Sequence, residues 1–506
     1  MNRTAEELWQ QLRDDALVAR SADYARWTIP AVFPEQPNFQ KSGNQVIDYD
    51  YQSMGAMLVN KLASKLTQTL FPTNTSFFKL SLQGLSDQQI DEETQKLVAK
   101  LELQACRALF NNAEYSRLTQ ALRLLIITGN CLMVRESGQL RVYSLHNYVV
   151  KRNSYGEVLD IVLKEKLYLR ELDAQTVEQL NMQHMDDMSE VFLYTQCSRK
   201  YGDDGAYWEI TQSINNIEVV APSTYPLELC PFVPVVWNLT STDNYGRGIV
   251  EDYAGDFIKL SELSAALTMY ELESCNVRYL ASPQSTLDLD ALEEARTGEV
   301  VSGSPDGVQP LELGEYQKIQ ALSNELSQVF ARLAQAFMYT SNQRDAERVT
   351  AYEIQMNAIE AEQTLGGVYS QLSHGMHLPL AYLLCYEVNP EFWSQYLAGQ
   401  WDISIITGMQ ALGRSAEIQQ WLQLTQELIL VVPNLQQISP RFNTEKIIDM
   451  FMLARGLSPD GVMLTEQELQ AKMEALQAQM MQTQFQDRTI NSQEASNKAS
   501  TMLGNM

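Results

Sequence analysis

Cysteine and histidine are scarce in this sequence, and the signatures of the common enzymes are missing. Among 506 residues there are six cysteines, far apart and without a CxxC pair, and four histidines. Scattered cysteines favour buried free thiols in a reducing compartment over disulfides or zinc. The motifs GxxxxGK[ST], GxSxG, HExxH and GxGxxG do not occur, so neither a P-loop motor nor the usual hydrolase and dinucleotide sites are predicted.

Long apolar runs and a surplus of positive charge are also absent. The longest apolar stretches, LLII and LILVV, fall well short of the ~20 residues that cross a bilayer, so we expect neither a secreted nor a membrane protein. With 63 acidic and 37 basic residues, the chain carries a formal charge of -26. Such a surface repels polyanions, which excludes an ordinary high-affinity nucleic-acid binder but not a protein past which DNA moves without sticking.

One histidine pair could in principle hold a metal ion. His374 and His377 lie three apart in the phrase HGMH, which can bring two imidazoles to one helix face, but zinc needs further ligands and no nearby carboxylates complete the set. We therefore predict structural histidines beside a kink, and no metal, cofactor or catalytic residue.

Helix signals dominate the first quarter of the chain. Thr4 and Glu7 form a capping box that opens one helix, continuing past Ala16 until the phrase TIPAVFP breaks it. Ser53 can cap a second helix that stops at Pro72. Its apolar stripe is Leu58, Leu62, Leu66 and Leu70, and two further helices are predicted at about 95–111 and 115–128, the latter ended by Gly129.

The residue pattern changes from helical to strand-like between residues 131 and 239. Short β-branched and aromatic runs alternate there with turn residues, which predicts strands, with one short helix near 176–182. The predicted fold class is therefore mainly α with a β-rich insertion (α+β).

A pair of long helices follows, at 249–277 and about 319–339. In the first, Tyr253, Phe257, Leu260, Leu263, Leu267 and Tyr270 keep helical spacing, and in the second Ile319, Leu322, Leu326, Val329, Leu333 and Phe337 do. The sequence between them predicts a small α/β element, so that the pair forms a stalk. The segment 249–318 holds 14 Asp and Glu against 4 Lys and Arg, either because the stalk concentrates acidity or because it is simply solvated.

Beyond the pair, Thr350 and Glu353 make a second capping box, which starts a helix longer than 35 residues. Gly366-Gly367, Gly375 and Pro379 predict bends in it. A smaller helical part is predicted after Trp401, and a disordered tail at 483–506.

Two arginines stand just before that capping box, in SNQRDAERVTAYEI. Arg344 and Arg348 lie at the positive end of a helix dipole, where cations lower helix stability. They either pair with Asp345, Glu347 or a neighbouring chain, or they serve a function that requires many copies.

Seven phrases in a fixed order resemble one family, the portal (head-tail connector) proteins of autographivirus-type short-tailed phages, over nearly the whole chain. The phrases are WTIPAVFP (27–34), NKLASKLTQTLFP (60–72), YGRGIVEDYAGD (245–256), QRDAERVTAYEI (343–354), TLGGVYSQL (364–372), LPL (378–380) and GMQALGRS (408–415).

The resemblance implies a portal fold and a ring, normally of twelve copies, around a DNA channel at one capsid vertex. It places the wing at 1–248, the stem helices at 249–278 and 319–340, the clip at 279–318, the tunnel loop at 341–349, a long kinked wing helix at 350–400, the crown at 401–462, and the C-terminal barrel helix with a disordered tail at 463–506.

The same resemblance implies the role of the loop and the partners. Arg344 and Arg348, with Asn342 and Gln343, would recur around the channel and touch the phosphates of passing DNA. The implied partners are double-stranded DNA, bound without sequence preference, the terminase large subunit that supplies the chemical energy, tail adaptor and nozzle proteins, major capsid and scaffolding proteins, and internal core proteins. The chain would be made in the host cytoplasm and reside in the virion.

Two other readings stay open from the residues alone. One is a cytosolic hydrolase with an unrecognised carboxylate site, and the other is a phage scaffold or tail adaptor without a DNA channel.

Overall fold

The computed structural model describes residues 4–34, 49–72, 76–82, 92–111, 114–203, 205–240, 243–275, 278–281, 294–296, 300, 308–311, 316–339, 365–397 and 401–405, all in the first of two units, Met1–Ala416, into which the chain divides. The helices in these ranges are α1 (Ala5–Leu12), α2 (Asp15–Arg26), α3 (Met54–Leu70), α4 (Glu92–Asn111), α5 (Glu114–Thr128), α6 (Ala174–Gln179), α7 (Ile249–Asp252), α8 (Ala254–Cys275), α9 (Tyr316–Ala336), α10 (Gly367–Leu372), α11 (Leu378–Val388) and α12 (Glu391–Leu397).

The strands of the described ranges form four antiparallel sheets. They are β1 (Phe78–Leu82), β2 (Asn130–Glu136), β3 (Gln139–Tyr143), β4 (Tyr148–Arg152), β5 (Val158–Tyr168), β6 (Glu190–Gly202), β7 (Gly205–Ile214), β8 (Ile217–Pro226), β9 (Phe232–Val236), β10 (Arg278–Ala281), β11 (Val308–Leu311) and β12 (Trp401–Ile405). The strand orders are β4-β5-β6-β7-β8, β3-β2-β9, β1-β12 and β10-β11. The α+β character and the β-rich part predicted at 131–239 are confirmed.

The N-terminal helices begin at the predicted capping residues, but one predicted helix is divided in two. Thr4 and Glu7 form the predicted capping box. The single helix expected through Ala16 is wrong, because α1 stops at Leu12 and the Asp14 side chain accepts a hydrogen bond from Leu17 N to start α2. Ser53 occupies the N-cap of α3 without a side-chain cap bond.

The strand pair β1-β12 was not anticipated from the sequence. Phe78 pairs with Ile405 and Leu82 with Trp401, more than 300 residues apart in sequence. Through this pair the chain after Trp401, where the sequence suggested only a helical part, returns to the strand that follows α3.

The helix after Gly366 departs from α geometry at the predicted kink. Ser373–His377 form a π-helical turn before α11. His377 is fully buried against Phe71 and Phe77, and its Nε2 lies 2.9 Å from the Leu70 carbonyl oxygen. His374 is exposed on the same turn, so the two imidazoles do not share a face.

The six cysteines are free thiols, five of them buried, and Cys275 is exposed, which corrects the expectation that all are buried. Cys197 and Cys230 lie with their sulfurs 3.7 Å apart. Among the described ranges, no helix combines the length and the apolar character that crossing a membrane requires.

Candidate functional site: the stem helix pair

Helices α8 and α9 are the two helices expected to form the stem, and they are called the stem pair below. They pack through an aromatic and aliphatic seam. Phe257 and Phe337 meet edge to face, with ring centroids 5.7 Å apart and planes at 86°. The seam contains Phe257, Leu260, Val329, Leu333 and Phe337, all fully buried. Asp256 meets Arg332, and Lys259, one turn later, meets Glu325, so the two helices run antiparallel.

One face of the pair carries its interhelical ion pairs. Arg332 Nη2 donates to Asp256 Oδ1 at 2.6 Å, and Lys259 Nζ bonds Glu325. The Lys259 ammonium holds the pKa of the Glu325 carboxyl below its usual value. Because these side chains are largely exposed, the two pairs add little to stability. Their main effect is to fix the register of the two helices.

The outer face of α9 carries no charge. Gln317, Gln320, Ala321, Ser323, Asn324, Ser327, Gln328, Ala331 and Gln335 are all exposed. At 100° per residue they cover roughly half of the helix circumference, and the charged residues Lys318, Glu325 and Arg332 lie outside that arc. In a chain with so many acids, a helix face of this length without any is distinctive.

The first stem helix starts from a tightly packed junction. Asn130, at the start of β2, bonds Gly246 twice: its Nδ2 donates to Gly246 O at 2.8 Å and its Oδ1 accepts from Gly246 N at 2.7 Å. Gly129 has φ +76°, and a Cβ there would lie 2.4 Å from the Arg247 carbonyl carbon. The phrase YGRGIV is therefore a packing motif that fixes the base of the stem.

A second tie joins α8 to the segment before α3. Ser261 Oγ donates to Asp50 Oδ1 at 2.7 Å, and Asp50 Oδ2 accepts from Gln52 Nε2 at 2.8 Å. Gln52 also donates to the Trp27 carbonyl oxygen and accepts from Gly55 N. This chain of bonds connects the stem to both α2 and α3.

Each end of the pair leads into one of the elements expected from the sequence. At the far end, β10 and β11 pair with Arg278 opposite Leu311 and Ala281 opposite Val308, so the insert between the helices is closed by an antiparallel ladder. At the near end, Met338 adopts φ +51° directly after α9. The predicted channel residues Asn342, Gln343, Arg344 and Arg348 lie outside the described residues.

The sequence anticipated the seam of the pair but not all of its surfaces. Of the line predicted for the first helix, Phe257 and Leu260 are buried, whereas Tyr253 is 36% exposed. The helix also breaks at Tyr253, into α7 and α8. Ile258, Met269 and Leu272, outside that line, are large exposed apolar residues of α8, and their spacing was readable from the sequence. Within the described part of the chain no cluster of three or more metal-ligating side chains occurs.

Comparisons with known proteins give one consistent result. The family model "Bacteriophage head to tail connecting protein" matches residues 2–463. The chain is 37% identical to the portal protein of Pseudomonas phage phiKMV, over 97% of each chain. It is 31% identical to the portal protein of Enterobacteria phage SP6, over 84% of this chain and 83% of the relative.

A solved structure described as the neck of an empty GTA particle, computed with C6 symmetry, aligns with a TM-score of 0.41 and 12% identity, over 85% of this chain and 93% of that chain. A likeness at this level adds nothing to the assignment.

Proposed function

The chain belongs to the bacteriophage head-to-tail connecting protein family, the portal proteins of short-tailed phages, and from this premise we propose that twelve copies close into a ring around a DNA channel. The ring occupies one capsid vertex, where DNA enters during packaging and leaves during ejection. The observation that carries the proposal is the 37% identity to a portal protein over 97% of both chains.

The parts of the ring follow the boundaries expected from the sequence. The wing comprises 1–248 and 350–400, the stem is the helix pair, and the crown and barrel lie at 401–462 and 463–506. The clip, 279–318, docks first the terminase large subunit and later the tail adaptor and nozzle proteins. Major capsid, scaffolding and internal core proteins meet the ring inside the virion, and synthesis takes place in the host cytoplasm.

The protein acts as a structural conduit without its own chemistry. The hydrolase interpretation is not favoured, because the similarity to portal proteins covers nearly the whole chain. The scaffold or adaptor reading is likewise not favoured.

Arg344 and Arg348, flanked by Asn342 and Gln343, are the proposed contact with DNA. Repeated on every subunit, they form basic circles in an otherwise acidic ring. Such circles touch phosphates briefly, while the acidic surroundings limit the counterion release that drives strong adhesion. The contacts are to phosphates, since the packaged sequence is arbitrary.

The ring is tested by mass and by imaging. The purified full-length chain should give a particle close to twelve times the 57.4 kDa of one chain, with a central hole in electron micrographs. A single chain at every concentration, also in infected-cell extracts, would refute the proposal.

The arginines are tested in the assembled phage. R344A/R348A should leave ring mass unchanged and lower DNA packaging or retention, whereas R344K/R348K should keep most of it, because charge alone supports brief phosphate contact. Normal packaging and retention by the alanine variant would rule out this role.

A further inference from the structure

Helix α8 has a second apolar stripe that no described residue buries. Ile258, Met269 and Leu272 are 46%, 58% and 63% exposed. With Ala265 they recur at the 7, 4 and 3 spacing of one helix face. At 100° per residue this face lies about 120° from the Phe257–Leu260–Ser264 face that packs on α9. A helix that is apolar on two faces is normally covered on both.

The buried seam of the pair reaches only part of the way along it. In α8 the last buried residue is Ser264, and in α9 the first is Val329. The half of the pair nearer to β10 and β11 therefore has no fully buried side chain among the described residues, and Met269 and Leu272 lie in that half. Cover for this half must come from outside the described chain.

We infer that this stripe packs on the charge-free face of α9 in a second copy of the chain, an inference that rests on the proposed ring. That face presents Gln317, Ala321, Asn324, Gln328, Ala331 and Gln335 at alternating 4 and 3 spacing. Its uncharged side chains bring no ion of their own into the contact, where the desolvation of a charge would be costly.

The charges bordering the two surfaces are complementary. Glu262 lies within the α8 stripe and Glu273 beside it. Lys318 and Arg332 border the neutral face of α9, and Arg332 also bonds Asp256 of its own chain. When two copies are set side by side in the same orientation, the helical wheels place the carboxylates and the cations on the same side of the contact. The amides of Asn324 and Gln328 are donors of suitable reach for Glu262, the one carboxylate inside the stripe.

The two surfaces differ from one another, so the contact is head-to-tail. A contact of this kind does not produce a closed dimer; it produces rings or filaments, depending on the rotation between neighbours. The partner is therefore a further copy of this chain on each side, joined along the stem.

Disulfide trapping tests the contact directly. In a Cys275→Ser background, which removes the exposed native thiol, the pair Met269→Cys and Ala321→Cys should yield a ladder of covalent multimers upon oxidation. Ala266→Cys with Ala321→Cys is the matched control, because Ala266 is exposed on the same helix outside the stripe. The control should give no ladder, since a disulfide requires Cα atoms within about 7 Å. Rings without a bridge between 269 and 321 would overturn the inference.

Charge placement gives a second readout. Leu272→Glu should lower the fraction of chain in rings about tenfold, because an unpaired carboxylate enters the contact. Ala266→Glu adds the same charge outside the stripe and should leave that fraction unchanged. Equal ring formation by both variants would reject this surface while leaving the ring intact. Failure of the unmodified chain to form any ring would instead reject the proposed function.

Discussion

Replacement of Arg135 should destabilise the fold more than replacement of any exposed charge. Its guanidinium, on β2, is 3% exposed and lies 2.8 Å from Glu114, whose carboxylate at the start of α5 is 2% exposed. It also lies 2.8 Å from Glu387 at the end of α11, which is 36% exposed. Glu114 Oε1 further accepts from Leu140 N at 3.1 Å. One cation thus joins two helices to a strand.

The expected magnitudes differ between the two carboxylates. Arg135→Met leaves Glu114 buried with one backbone donor, and an uncompensated buried charge of this kind lowers the free energy of unfolding by about 3–5 kcal/mol. Glu387→Gln removes a partly solvated partner and should cost no more than about 1 kcal/mol. Arg135→Met with Glu114→Gln should recover part of the loss, because the stranded charge is gone.

Hydrogen exchange of the β2 amides in the full-length chain measures these differences, since β2 is the buried central strand of the β3-β2-β9 sheet. Urea unfolding followed by tryptophan fluorescence gives an independent value. Either of two results would refute buried-charge compensation at this site. In the first, Arg135→Met lowers the free energy of unfolding by less than about 1 kcal/mol. In the second, adding Glu114→Gln to Arg135→Met lowers it as much as Glu114→Gln does in the unmodified chain.

Three further predictions concern a histidine, the thiols and two glycines. Burial lowers the pKa of His377 to about 4, so the folded chain binds this proton more weakly than the unfolded chain, in which the pKa is ~6.5. The free energy of unfolding should therefore be constant above pH ~6.5 and fall by up to about 3 kcal/mol as the pH drops towards 4. The melting temperature of His377→Phe should fall less over that pH range than that of the unmodified chain. If the two chains showed the same dependence on pH, His377 would not be the responsible group. Cys275 should react with maleimide within minutes and the buried thiols only upon unfolding, so a Cys275→Ser variant that still labels quickly would show another thiol to be accessible. Gly129→Ala should destabilise strongly, because a Cβ meets the Arg247 backbone at positive φ, whereas Gly255→Ala, with open space in α8, should stabilise by roughly 0.5–1 kcal/mol; equal effects on the melting temperature would argue against this steric account.

Local signals were sufficient for much of the fold. The capping box at Thr4, the leucine stripe of α3, the end of α5 at Gly129 and the antiparallel stem seam all depend on neighbours within about one helical turn, or on periodicity along one helix. Such features can be predicted from residues that lie close together in the sequence.

The missed feature with the longest range is a contact that no local pattern encodes. β1 and β12 are five-residue strands whose partners are more than 300 residues apart, and either could equally be a loop. The break between α1 and α2 was missed because the apolar periodicity continues across it, whereas the signal for the break is the single N-cap residue Asp14. In the α8–α9 pair the buried seam was predicted but the second stripe of α8 was not, although its spacing of 7, 4 and 3 residues is a local pattern.

The two halves of the stem pair differ in how they are packed. Near its base, α8 is held by the Asn130–Gly246 bonds, by the tie from Ser261 to Asp50 and by a seam continuous with the main core. Beyond Ser264 and Val329 the buried seam ends, and the large apolar side chains of α8 turn outward. The first half of α8 and the second half of α9 therefore belong to the fold of one chain. In the proposed ring the remaining half of the pair is covered by neighbouring copies, so we expect the order of this half to depend on closure of the ring.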